Sequence, residues 1–215
     1  MHDLGPATAS AARVVALVTD DALERPTPCS AWTVGDLVEH LAGLAWHFAG
    51  VARGRPPTSP PPASDRPEGW RDLLVGELVD LAEAWRAPGA WDGEDEAGGV
   101  RMPRGALGIV ALDEVVLHGW DLAAALSVPW SVPDADVAAC LPFVEQVAGM
   151  PGGPFATPQP GAGESSGLVR LLRLSGRDPA AGPPELGPAP EGAGAAGSAG
   201  AARAVPPEGT GGTTP

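Results

Sequence analysis

The 215-residue chain contains no lysine, no tyrosine and no asparagine. Every basic side chain is therefore an arginine, and 13 of them face 27 acidic residues for a formal net charge of -14. An acidic chain without a basic stripe is a poor partner for nucleic acid or an anionic membrane. The two cysteines, Cys29 and Cys140, form neither a C-x-x-C pair nor a disulfide framework. No apolar run approaches the ~20 residues that span a bilayer. The N-terminus lacks the basic segment and continuous apolar core of a signal peptide. These absences lead to the expectation of a soluble, cytoplasmic protein. The excess of Ala, Gly, Pro and Arg points to a GC-rich coding sequence, which bears on ancestry rather than mechanism.

From Pro179 onward the sequence is almost entirely Ala, Gly and Pro. Such a segment buries too little apolar surface to offset its ordering entropy and is expected to be disordered. The expected organisation is one folded domain over residues 1–178 and a tail over residues 179–215. Helical spacing of apolar residues predicts a first helix within Ala9 to Leu23, stopped by Pro26 and Pro28. Thr33 is a candidate N-cap for a second helix running to about Val51, with Asp36 three residues on as in a capping box. A proline-rich connection follows from Arg55 to Pro67, then helical spacing from Glu68 to Trp85 and a glycine- and acid-rich loop from Pro88 to Gly105. A fourth helix is predicted from near Pro103 to Leu126, a fifth from Pro133 to near Met150, and a short amphipathic one from Ser166 to Leu174, closed by Gly176. No strand alternation stands out. The fold class is all-α, with four main helices packed as a bundle and short satellite helices.

Glu114 and His118 are the most informative pair. Four residues apart in an apolar helical run, they project from one helix face and can reach one divalent ion together. His40, in the second helix, is the candidate third ligand. The bland alternative for Glu114 and His118 is a solvated ion pair worth a fraction of a kcal/mol, roughly 0.2–0.5. Two histidines and one glutamate would leave a coordination position open, the pattern of catalytic rather than structural sites. His47 stands two turns from His40, about 10 Å away, too far to share its ion. His2 falls in a terminus expected to be loose. Asp121 can share the face of His118 and orient its imidazole. Asp113 and Glu39 project about 100° from their ligand neighbours and read as solvent-facing or ion-paired. Cys29, just ahead of a helix, reads as structural before nucleophilic, and Cys140 as core. Trp32, Trp46 and Trp120 fit interior packing or a pocket wall, and Arg170 and Arg173 fit surface ion pairs or carboxylate contacts.

Three segments carry a family resemblance. Residues 26–41, Pro-Thr-Pro-Cys-Ser-Ala-Trp-Thr-Val-Gly-Asp-Leu-Val-Glu-His-Leu, resemble the opening motif of the DinB-like, mycothiol-dependent maleylpyruvate isomerase superfamily. Glu114 to Ala123 resembles its second signature, and Ser166 to Pro179 is similar to its closing segment. The resemblance implies an up-and-down four-helix bundle holding a divalent metal, usually zinc, on His40, Glu114 and His118. It further implies a metal-dependent enzyme that activates a low-molecular-weight thiol, mycothiol foremost, for transfer to or isomerisation of an electrophilic substrate. The shorter branch of the superfamily, which lacks the isomerase's additional C-terminal domain, is the nearer match. The alternative is a non-catalytic metal-binding bundle that serves as an interaction protein. Catalytic side chains and cofactor contacts stay unassigned, and a homodimer is a possible assembly.

Overall fold

The computed structural model describes residues 1–29, 32–55, 66–97 and 99–180. The expected tail therefore lies, from residue 181 on, outside the described residues, as does most of the proline-rich connection. Among the described residues six α-helices form: α1 (Gly5–Val15), α2 (Val34–Ala52), α3 (Trp70–Arg86), α4 (Arg104–Leu126), α5 (Asp134–Val147) and α6 (Gly167–Leu174). The first helix begins earlier than apolar spacing predicts, because Pro6 sits in its first turn, where a missing amide costs nothing. It also ends earlier, and Asp20–Ala22 forms a separate 3-10 turn after Thr19 goes extended.

At the start of α2 the capping box is complete. Thr33 accepts from the Asp36 amide at 3.1 Å, and Asp36 accepts from the Thr33 amide at 2.8 Å. One departure from the sequence reading is a two-stranded antiparallel hairpin, β1 (Glu94–Ala97) and β2 (Val100–Pro103), within the segment read as loop. Each strand is four residues long and lies mostly in solvent, so no alternating apolar face marks it in the sequence.

The helices α1 to α4 make the expected all-α bundle, with α1 and α2 each packed between α3 and α4. Their directions follow from cross-helix contacts. Arg86, ending α3, holds Asp3 ahead of α1, while Arg71, starting α3, donates to the Val18 carbonyl beyond α1. Those two helices are antiparallel. Arg66 ahead of α3 meets Glu39 early in α2, and Arg53 just past α2 meets Asp80 late in α3. Those two are parallel. Trp32 ahead of α2 packs on His118 late in α4, whereas Gly54 past α2 lies beside Arg104 at the start of α4. The order is thus up, down, down, up rather than strict alternation. A parallel α2–α3 pair needs a connection as long as the bundle: α2 is about 28 Å, and residues 53–69 can reach roughly 55 Å.

Leu37, Leu41, Leu78, Leu81, Trp85, Leu107 and Leu112 fill the centre, each with essentially no exposure. The helices α5 and α6 pack on each other, and α5 covers the outer side of α4. Consequently α4 has almost no solvent face; Val115, Val116, Leu117 and Leu122 are all buried. No described helix is long and apolar enough to cross a membrane.

Candidate functional site

Antiparallel packing of α2 on α4 brings the three predicted ligands together. Glu114 Oε2 lies 3.2 Å from His40 Nε2 and 3.1 Å from His118 Nε2. One ligand atom from each of the three residues falls within 4.8 Å of the other two. The two imidazoles stand edge to face with centroids 4.8 Å apart. Trp32, delivered by the turn before α2, covers both: its ring lies 4.7 Å from His40 and stacks at 24° on His118. The tryptophan is thus half-buried as a wall of the site. This geometry needs the helical i, i+4 relation on α4, the capping box that fixes where α2 begins, and the turn that turns Trp32 inward.

Behind His118 lies a buried relay. His118 Nδ1 donates to Asp121 Oδ2 at 3.0 Å, and Asp121 receives a bidentate pair from Arg177, Nε at 2.8 Å and Nη2 at 2.7 Å. Asp121 is fully buried and Arg177 only 9% exposed. Burial raises the Asp121 carboxyl, but Arg177 and His118 outweigh it and hold it below its usual range. Burial likewise works against charge on His118, yet Asp121 and Glu114 push its imidazole up to about 9. For Glu114, desolvation is again outweighed, here by hydrogen bonds to His118 and His40, and the carboxyl stays well below its ordinary value. The cluster thus sets an ionised Glu114 against a protonated His118, and its Nε2 atoms and carboxylate oxygen converge on one point. With Nδ1 committed to Asp121, the ring of His118 is fixed so that Nε2 faces that point.

Sequence reasoning placed Asp121 on the face of His118 but missed Arg177, turning instead to Arg170 and Arg173. Those two stay near the surface, Arg170 on Glu145 and Arg173 on Ser165. The signal for Arg177 was the glycine before it. Gly176 adopts φ 83°, Gly176 N–H donates to the Arg173 carbonyl at 3.1 Å, and Arg177 N–H donates to Leu172 at 2.8 Å. This Schellman closure of α6 folds the chain back and sends the following side chain inward.

Several other expectations change. Asp113, read as solvent-facing or ion-paired, is 2% exposed with Oδ1 lacking a hydrogen-bond partner. The face it occupies would be free in an isolated bundle, but α5 covers it, and burial together with Glu114 pushes its carboxyl well up. Glu39 pairs with Arg66 at the surface. His2, expected to be loose, lies 2.7 Å from the buried Asp136 at the start of α5. His47 does not join the ligand cluster. Cys140 is buried in the core. Cys29 is half-buried near His118 and Asp121. Burial and then the Asp121 charge push its thiol up to about 11, against Arg177, so it stays a thiol at neutral pH.

The chain matches the family model described as mycothiol maleylpyruvate isomerase N-terminal domain over residues 4–123. It belongs to that family. An uncharacterized protein of Mycobacterium tuberculosis, matched in strains CDC 1551 and H37Rv, is 32% identical over 172 residues, covering 77% of this chain and 91% of the relative. Among solved structures, the mycothiol-dependent maleylpyruvate isomerase is similar with a TM-score of 0.52 at 20% identity, covering 67% of this chain and 66% of the isomerase. A histidine-to-alanine mutant of that enzyme matches with a TM-score of 0.50 at 19% identity. These likenesses establish the bundle fold. This family member thus spans about two thirds of the isomerase's length. The family match contains His40, Glu114, His118 and Asp121, whereas Arg177 lies beyond it.

Proposed function

We propose that this family member is a metal-dependent, thiol-activating enzyme in which His40, Glu114 and His118 hold a divalent ion, zinc foremost. The observation that carries this reading is the convergence of two imidazole nitrogens and one carboxylate, supplied by two helices, on a point walled by Trp32. The donor set fits: neutral imidazole and carboxylate suit zinc, and three protein ligands leave a position for an exogenous group. When bound, such an ion lowers the pKa of a thiol placed at its open position.

The chain's own residues do the rest. Asp121 accepts a hydrogen bond from His118 Nδ1–H and so holds the ring with Nε2 forward. Arg177 keeps Asp121 ionised within the interior. Trp32 shields the two imidazoles from water, and Glu114, whose side chain is 27% exposed, marks the opening. Cys29, held as a thiol, is not the nucleophile; that role falls to the cosubstrate thiol, for which mycothiol is the candidate on family grounds. Transfer of that thiol to an electrophile, or isomerisation through its reversible addition, is the reaction class.

The test is metal content by elemental mass spectrometry, followed by thiol binding to the loaded protein. One ion per chain is expected, lost in His118→Ala and Glu114→Ala while helical content persists. A native chain that takes up no ion on reconstitution would leave the cluster as a hydrogen-bonded polar knot and end the thiol reading. An ion bound without thiol affinity would favour the non-catalytic, metal-binding interaction protein.

A further inference from the structure

The imidazole of His118 has two nitrogens, and the candidate metal centre uses one of them. Nε2 faces Glu114 at 3.1 Å, while Nδ1 faces Asp121 at 3.0 Å. Beside this second pair stands a third donor, the thiol of Cys29. One ligand atom each from Cys29, His118 and Asp121 lies within 4.8 Å of the other two, as is true of His40, Glu114 and His118.

The turn that delivers Trp32 also sets this sulfur. Thr27 Oγ1 donates to the Cys29 carbonyl at 3.1 Å and to the Trp32 carbonyl at 3.0 Å, and the Trp32 amide donates to the Cys29 carbonyl at 3.1 Å. Cys29 is thus anchored through its backbone, and its sulfur makes no hydrogen bond or disulfide among the described residues. Cys140 is sealed in the core, whereas Cys29 is only half-buried, so an ion can reach it from solvent.

Thiolate, imidazole and carboxylate together suit zinc and softer divalent ions such as cadmium. Coordination deprotonates a thiol outright, so the upward push that keeps Cys29 a thiol in the metal-free chain does not bar it as a ligand. Arg177 is the opposing charge, since it sits behind Asp121 and acts electrostatically on Cys29. A divalent ion on the Cys29 thiolate, neutral His118 and Asp121, with Arg177 counted, carries the same net charge as one on His40, Glu114 and His118.

We propose that Cys29, His118 Nδ1 and Asp121 Oδ2 form a second metal site, selective for a thiophilic divalent ion, back to back with the first on opposite nitrogens of one imidazole. Binding releases the Cys29 thiol proton and the His118 Nδ1 proton to solvent. Arg177 keeps its Nε bond to Asp121 Oδ1, while the ion takes the place of the His118 proton at Oδ2. The hydrogen bond that orients His118 is thereby replaced, so a thiophilic ion acts on the first site through the shared ring. The second site needs neither His40 nor Glu114 and does not depend on thiol activation.

Cadmium titration of the full chain, followed by the thiolate-to-cadmium charge-transfer band in the ultraviolet, tests it. The native chain is expected to develop the band to saturation at one thiolate-bound ion per chain, and Cys140→Ser and Glu114→Ala should both keep it. Cys29→Ser should lose the band; whether that variant still takes up an ion reads the first site separately. His118→Ala, and His118→Phe, which keeps a ring beneath Trp32, should each weaken the band-forming affinity by about tenfold or more, with circular dichroism showing the fold intact. A solitary thiol would not show that dependence. Absence of the band in the native chain, its survival in Cys29→Ser, its loss in Glu114→Ala, or unchanged affinity in the His118 variants overturns the inference. A native chain that binds an ion without the band loses the second site and keeps the first.

Discussion

Replacing Asp121 with asparagine tests the relay behind the candidate metal site most directly. In the native chain one fully buried carboxylate answers three donors: His118 Nδ1 at 3.0 Å and two Arg177 nitrogens at 2.8 and 2.7 Å. Asparagine offers a single acceptor oxygen and no charge, so Arg177 is left buried without its counter-ion. Breaking one partner of a buried pair costs about 3–5 kcal/mol. For a domain of this size each kcal/mol lowers Tm by roughly 2–4 °C, so a fall of roughly 6–20 °C is expected in a thermal melt. Losing the orienting hydrogen bond should also weaken metal binding by about 10–100-fold. The double variant Asp121→Asn with Arg177→Met separates the two effects. Removing both charged partners avoids the stranded guanidinium, so most of the Tm should return while the metal affinity stays low. A single variant that melts within 2 °C of the native chain and keeps its metal affinity would refute the relay.

The pH dependence of metal uptake should have a definite sign. In the metal-free chain His118 holds its proton up to about pH 9, and that proton must leave before Nε2 can bind an ion. Apparent affinity should rise with pH, by at most about tenfold per unit, and level off above that value; a flat profile between pH 6 and 9 would contradict it. The same upward shift stabilises the metal-free fold fully below the ordinary imidazole value of 6.5, and this contribution is lost as pH rises towards 9, visible as a falling Tm. Gly119→Ala should destabilise by about 1–3 kcal/mol, because its Cβ would overlap the Trp130 ring; chemical denaturation would show an unchanged m-value with a lower midpoint. Thr33→Ala removes the capping box of α2 and should cost about 1 kcal/mol, with Thr33→Ser restoring it and a circular dichroism melt as the readout.

The bundle was legible in the sequence because its signals are local. Apolar spacing gave α2 to α5 to within a few residues but misplaced α1, which starts four residues earlier and ends eight residues earlier than its apolar run. Thr33 with Asp36 marked the start of α2 before any tertiary contact was known. The i, i+4 relation placed Glu114 and His118 on one face. The Glu94–Ala97 and Val100–Pro103 hairpin was not legible, since neither strand buries a face. Asp113 was misplaced for a different reason: whether the outer side of α4 meets water depends on α5, which arrives from more than twenty residues away.

The sequence alone determined which helices form, where α2 is capped, and that Glu114 and His118 share a face, because propensity, capping and helical period act between neighbours. Tertiary structure decided that α2 runs antiparallel to α4 and brings His40 to the same point. It also decided that Arg177, 56 positions after Asp121, locks that carboxylate from behind. Side chains so far apart along the chain meet only when burial of several apolar faces at once selects one packing, and no local pattern records that choice.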